Sequence, residues 1–343
     1  MIGTDIAIDL GTANFRLYMD GRGVVVNEPN IVAVETDSEQ IVAIGREAYE
    51  MLGRTGARVR VVRPMHGGVI ADFSLMDAVI RHYLKQVNTS RVFMPRVVVT
   101  VPSGITEVEK RAVVDAVAAN GVRKICLLEG PLAAALGAGI DVAKPRGTML
   151  VTLGAGMSDA GVVSLNRLAA SRSIPVAGDA FDDAIIKYVR RKFDLVIGER
   201  TAEEAKRTAG CAYPMKQGKI YPLKGRDLKS GLPSRVEITS DQLLEAIVEP
   251  AAQVVRMIQT TLEETPPELM ADIAGEGILL VGGSAYLNGF DQLLSKTTKL
   301  RVHVLEEPEG YAIRGAASAV KMIDKAKFNP KNGDRATPLI AYY

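Results

Sequence analysis

The chain has 343 residues, 47% of them hydrophobic and 24% charged, with a formal net charge of +2. That length suffices for two domains with a buried core each, and the near-neutral balance gives no global field for nucleic acid. Two cysteines and three scattered histidines, His66, His82 and His303, supply neither a disulfide framework nor a zinc site.

In chain order, apolar residues alternate at Ile6, Ile8 and Leu10, a Gly-Thr-Ala-Asn turn follows, and alternation resumes at Phe15, Leu17 and Met19. This predicts a β-hairpin over 5–20. Its tip, Gly11, Thr12, Ala13 and Asn14, suits a nest of backbone N–H groups for phosphate, although an ordinary polar turn has the same composition. Asp9 stands just before the tip, where a carboxylate reaches a magnesium ion through water.

A meander is expected over 24–34, a short strand at 40–45 and a helix at 46–52. Arg54, Arg58, Arg60 and Arg63 follow with no acidic residue among them, either a solvated loop and strand or a contact with a subunit or acidic lipid. Ser74 is the expected cap of a helix running to about Val87. Val92, Phe93 and Met94 then stand between two arginines. They either begin the buried strand 97–101 or form an apolar finger for a membrane interface. Thr106 with Glu109 makes a capping box for a helix to Ala119. A strand at 124–128 leads through Glu129, Gly130 and Pro131 into an alanine-rich helix.

Residues 148–164 repeat the strand, glycine turn and strand, with Gly154, Ala155 and Gly156 at the tip. A strand pair is expected over 167–176 and a helix near 180–193. On the next helix, which opens near residue 198, Glu203 and Lys206 lie one turn apart. Alone they read as a surface salt bridge. Ser240 is the expected cap of a helix that Pro250 kinks, and 278–281 is a buried strand by its unbroken apolar run. It ends in Gly282, Gly283, Ser284 and Ala285, where bare backbone admits a purine or simply turns tightly. An edge strand at 302–305 and a small-residue helix at 312–322 precede a basic, loosely ordered tail whose end, 339–343, is expected to dock.

Two facing hairpins of this kind resemble the plan of the actin-like ATPases. More specifically the chain resembles the MreB/Mbl family of bacterial actin homologues over about 1–322. The resemblance rests on Ile8-Asp9-Leu10-Gly11-Thr12-Ala13-Asn14, Val26-Asn27-Glu28-Pro29, Gly68-Val69-Ile70-Ala71-Asp72-Phe73, Val101-Pro102-Ser103-Gly104-Ile105-Thr106, 197–203 and Thr265-Pro266-Pro267-Glu268-Leu269.

It implies an α/β actin-like fold of two duplicated domains, 1–143 and 144–322, with insertions near 31–68 and 178–245 and a tail from 323. It also implies ATP and Mg2+ in the cleft. Thr12, Ala13 and Asn14 would serve one phosphate turn and Gly154, Ala155 and Gly156 the other. Glu203 and Lys206 would take the ribose, and Gly282 to Ala285 the adenine side. Antiparallel double protofilaments on the inner face of the cytoplasmic membrane are implied, with Val92, Phe93 and Met94 inserted in the lipid and wall-synthesis proteins as partners. The chain is then a cytoplasmic, peripheral cytoskeletal protein that sets cell shape.

The departures fall on chemistry. Gly130 stands where the family has the glutamate that orients the attacking water, with Glu129 displaced by one, and Thr152 stands where an aspartate serves magnesium. Losing a general base costs about 10²–10⁴-fold in rate. The expectation is a weak ATPase at most, with Asp159 or Glu129 as rescuers. Two other readings stay open: a nucleotide-independent scaffold that copolymerises with an active MreB, and a small-molecule kinase of the superfamily.

Overall fold

The computed structural model describes residues 5–87, 94–325 and 339–342. The first hairpin is β1 (Asp5–Leu10) and β2 (Asn14–Met19), extended by β3 (Gly23–Pro29). A small sheet follows from β4 (Val32–Glu35), β5 (Ile41–Ile44), α1 (Arg46–Met51) and β6 (Val59–Val62), in the order β5-β4-β6. The chain then runs through β7 (Met65–His66), β8 (Val69–Ile70), α2 (Phe73–Val87), β9 (Arg96–Val101), α3 (Glu107–Ala118), β10 (Lys124–Glu129) and α4 (Gly130–Gly137).

The second hairpin is β11 (Thr148–Leu153) and β12 (Ser158–Ser164), joined by β13 (Arg167–Ile174). After it come α5 (Gly178–Phe193), β14 (Leu195–Val196), α6 (Glu199–Ala209), β15 (Ile220–Asp227), β16 (Pro233–Thr239), α7 (Ser240–Glu263) and α8 (Pro267–Glu276). The remaining elements are β17 (Ile278–Val281), α9 (Phe290–Thr298), β18 (Val302–Val304), α10 (Tyr311–Val320) and β19 (Ile340–Tyr342).

Two large sheets result. The first has the order β19-β10-β9-β1-β2-β3 and the second β13-β12-β11-β17-β18. In each, the hairpin strand is central, pairing antiparallel with its hairpin partner and parallel with a later strand: Ile8 faces Leu17 and Val99, and Val151 faces Ala160 and Leu280. Alternation sorts the side chains by face. Ile6, Ile8, Val97 and Val99 pack with Met76, Val79 and Val114 from α2 and α3, while Met149 and Val151 pack with Phe181, Ile185 and Val254 from α5 and α7. The opposite faces meet in one further cluster, where Ala7, Val98 and Leu128 of the first sheet and Leu150, Val163 and Val281 of the second enclose α4 and α10. That helix pair is a layer common to both sheets.

It packs backbone to backbone. A Cβ on Gly315 would stand 1.7 Å from the Ala133 carbonyl oxygen, and one on Gly137 would stand 2.1 Å from that of Tyr311. Both positions require glycine because no side chain fits the approach.

Several local expectations need correction. The helix expected to start at Ser74 begins at Phe73, because Asp72 accepts the Leu75 N–H (3.0 Å). Thr239, not Ser240, caps α7: its extended backbone lets the hydroxyl accept the Gln242 N–H, and Gln242 returns the bond. Pro250 lies inside an unbroken 24-residue helix. The strand pair expected over 167–176 is one strand, β13, paired with β12. The end of the tail does dock, as β19 antiparallel to β10, with Leu339 only 1% exposed. Of the apolar finger, Val92 and Phe93 lie outside the described residues, and Met94 is 57% exposed.

Overpacking a close contact costs about 1–3 kcal/mol or more. Gly315→Ala is therefore expected to lower the thermal midpoint by several degrees. Gly56→Ala, with nothing within 4 Å of its Cβ position, is expected to leave the midpoint unchanged in the same melting experiment.

Candidate nucleotide cleft

The two glycine turns face each other. A Cβ on Gly156 would lie 2.6 Å from Thr12 Oγ1, so side-chain bulk at either turn would part them. The first turn is braced from beneath by Asn30, whose Nδ2 donates to the Gly11 carbonyl (2.9 Å) and whose N–H donates to that of Ala13 (2.8 Å). Thr12 Oγ1 accepts the Gly68 N–H (3.1 Å), which ties the β7–β8 hairpin to the same turn. Asn14 begins β2, where its carbonyl blocks any Cβ on Gly11.

Asp9, at the end of β1, accepts from Thr100 Oγ1 (2.7 Å) and from Arg16 (3.2 Å). The carboxylate is thus held at the mouth of the first turn by a hydroxyl and a guanidinium. Across the cleft stands Thr152, where the resemblance implies a carboxylate, and its hydroxyl is buried without a partner among the described residues.

The second turn is fixed by backbone bonds: Gly154 N–H to Met157 O (2.9 Å), Gly178 N–H to Gly154 O (3.2 Å) and Asp179 N–H to Ala155 O (2.8 Å). Ser284 Oγ donates to Gly154 O (2.6 Å), which brings the Gly282 to Ala285 stretch against this turn. Gly282 has φ +92 and lies against the Leu153 carbonyl, so no other residue fits. Gly283 faces open space, and Ala285 is buried.

Glu203 and Lys206 share α6 but not a salt bridge. Lys206 is drawn inward, where its ammonium donates to Gly178 O (2.9 Å) and Asp182 (2.7 Å). Burial pushes the Asp182 carboxyl up to about 7 against the opposing pull of Lys206. Glu203 faces Arg207 (3.6 Å) and, from the other side of the cleft, the Tyr49 hydroxyl (3.5 Å). The expected pair therefore splits, with the lysine serving α5 and the glutamate the cleft mouth.

Glu129 ends β10 and precedes α4, and burial raises its carboxyl above the usual range. Asp159 on β12 reaches toward it from the second sheet. A Cβ on Gly130 would lie 3.1 Å from Asp159 Oδ2, so the missing side chain makes room for this carboxylate. Asp159 accepts both the N–H (2.9 Å) and the hydroxyl of Ser103, and Gly104 N–H donates to Ser173 Oγ (3.0 Å). The base position of the resemblance has become a crossing point between sheets. Ser103, Asn30 and Tyr49 carried no sequence signal for these roles, since each acts through a partner far away in the chain.

With this geometry in hand, a family model described as MreB/Mbl protein matches residues 3–328. The chain belongs to the MreB/Mbl family. It is 42% identical to the cell shape-determining protein MreB of Escherichia coli strain K12, covering 94% of this chain and 95% of that one. It is 40% identical to the cell shape-determining protein Mbl of Bacillus subtilis strain 168, covering 95% and 98%. Its structure is similar to that of MreB 5 of Spiroplasma citri bound to AMPPNP, with TM-score 0.90, 32% identity and coverage of 95% and 98%. A MamK double helical filament at 17% identity and TM-score 0.79 shares the fold. The MreB/Mbl chain described here thus has the actin-like fold that its two hairpins implied.

Burial pushes the Asp159 carboxyl up to about 7 from 3.8, the Ser103 hydrogen bonds opposing it and Glu129 adding to it. The folded state then holds this proton more tightly than the unfolded chain. Its contribution to stability is full below about pH 4 and is lost as pH rises to about 7. Asp159→Asn is expected to flatten that part of the stability profile relative to wild type, as measured by urea unfolding at pH 4, 5.5 and 7.

Proposed function

We propose that this actin-like cytoskeletal protein binds ATP between its two glycine turns and assembles into membrane-associated filaments that organise cell-wall synthesis and cell shape. The observation that carries the reading is the pair of backbone-built turns, Gly11 to Asn14 and Gly154 to Gly156, set face to face. Phosphate binding of this kind uses backbone N–H groups, which the departure at Thr152 leaves in place. Support also comes from MreB 5 of Spiroplasma citri, solved bound to AMPPNP and to ADP.

In this reading the chain has two domains, 1–143 and 144–322, with Glu203 at the ribose and Gly282 to Ala285 at the adenine. The donor set fits magnesium only modestly, because Asp9 is shared with Arg16 and Thr100. Phosphate oxygens and water would supply most of the shell, as is usual for this ion. Asp9→Ala is expected to abolish magnesium-dependent ATP binding in a titration followed by calorimetry; an unchanged affinity would remove Asp9 from the site.

Hydrolysis is slow or absent, since Gly130 offers no base and Asp159 is held by Ser103. The same observation favours a second reading, a scaffold indifferent to nucleotide that copolymerises with an active MreB. Filaments would be antiparallel double protofilaments lying on the inner face of the cytoplasmic membrane. The exposed Met94 beside Val92 and Phe93 supports lipid contact there. No helix among the described residues is long and apolar enough to cross a membrane.

The test is pelleting of the purified protein with anionic liposomes under three conditions: no nucleotide, magnesium-ATP and magnesium-ADP. Sedimentation that requires ATP is the expected outcome. Equal sedimentation in all three supports the nucleotide-indifferent scaffold, and none at all overturns membrane-bound self-assembly.

A further inference from the structure

Across the mouth of the cleft, the small sheet of the first half touches α6 of the second through three contacts that the nucleotide turns do not use. The Tyr49 hydroxyl lies 3.5 Å from Glu203 Oε2. The Arg200 guanidinium lies over the Tyr49 ring, 5.1 Å from its centre. Arg63, just beyond β6, pairs with Glu199 at 3.7 Å. Glu199, Arg200 and Glu203 fall within the first turn and a half of α6, so one short helix face receives all three.

This belt lies within electrostatic reach of Asp179, which braces the second glycine turn. Asp179, whose N–H bonds Ala155 O, feels the charges of Arg63 and His66 from the first half and of Lys206 and Glu203 from the second. Tyr49 feels Glu203, Arg200 and Arg63, and burial and Glu203 raise its phenol above the ordinary value. With Glu203 at the ribose, as proposed above, a nucleotide entering from this side meets the Tyr49–Glu203 contact.

We propose that Tyr49, with the Arg63–Glu199 pair beside it, is a gate that sets the rate of nucleotide exchange. The inference rests on the reading that nucleotide occupies the cleft. Each contact is loose: the hydrogen bond is at its distance limit, and the Arg63–Glu199 pair is partly exposed to water. Such contacts open and close readily, which suits a gate and not a permanent closure.

A gate leaves a kinetic signature. A gate stands across the path in both directions, so breaking its contacts speeds entry and departure alike. Both rate constants rise while their ratio hardly moves.

The experiment is stopped-flow binding and displacement of etheno-ATP with magnesium, a probe whose ribose is unmodified, on full-length wild type, Tyr49→Ala, Tyr49→Phe and Glu199→Gln. Tyr49→Ala is expected to raise association and dissociation rates by about tenfold each with Kd changed less than about threefold. Tyr49→Phe and Glu199→Gln are expected to raise both by smaller factors. Unchanged rates in all three variants overturn the gate while leaving the cleft as a nucleotide site. A rise in dissociation alone overturns it in favour of a direct ribose contact. If Tyr49→Ala does not fold, the Phe and Gln variants, which keep the packing of α1, decide the matter. Absence of etheno-ATP binding by wild type overturns the nucleotide reading itself, and the gate with it.

Discussion

Everything in this molecule turns on the contact between α4 and α10, two helices pressed together at Gly137 and Gly315 until carbonyl oxygens occupy the places of side chains. Each helix lies under a different sheet's inner face, and the alanine run of α4 keeps the layer thin. Packed interiors transmit small displacements because they have little free volume. A shift of either helix by the width of a methyl group would therefore move one glycine turn relative to the other. The separation of the two turns, on which the proposed phosphate binding depends, is thus tied to the packing of α4 against α10.

Two kinds of contact then join the halves. At the base, the buried Asp159 accepts two short hydrogen bonds from Ser103, with an exposed Gly104–Ser173 bond beside them. At the mouth, the Tyr49–Glu203 bond is longer, at 3.5 Å, and the Arg63–Glu199 pair is partly exposed. The base is stiff and the mouth yields. Such a gradient is what a hinged cleft requires, and it places the substitution at Gly130 in a structural light. The absence of a side chain there leaves room for the inter-sheet bonding of Asp159. A position that reads in the sequence as lost chemistry is, in space, also beside a tie between the sheets.

Much of the fold was legible because its signals are local. Period-two alternation in 5–20 gave the first hairpin, the repeat of strand, glycine turn and strand in 148–164 gave the second, and Thr106 with Glu109 gave the start of α3 by a bond spanning three residues. Local signals misled where two neighbours offered the same chemistry. Thr239 and Ser240 both carry hydroxyls, and only the backbone angle of Thr239, extended at φ −95 and ψ 161, decides which one caps. The site was half legible. Its glycine turns are contiguous and visible, but Lys206 turns to Asp182, 24 positions back, and Tyr49 meets Glu203, 154 positions on. No window of sequence contains both partners of such a pair.

The strand β19 bears on how the chain comes to be made. It pairs with β10, Ile340 opposite Leu127 and Tyr342 opposite Ile125, and so completes a sheet whose other strands lie in the first 129 residues. During synthesis that sheet edge stays bare until 340–342 have emerged, long after β10, since domains fold as they emerge. An unpaired edge is a template for other chains. Strand β19 therefore acts as a late seal, and a nascent chain stalled before it would expose a sticky border to its neighbours on a polysome.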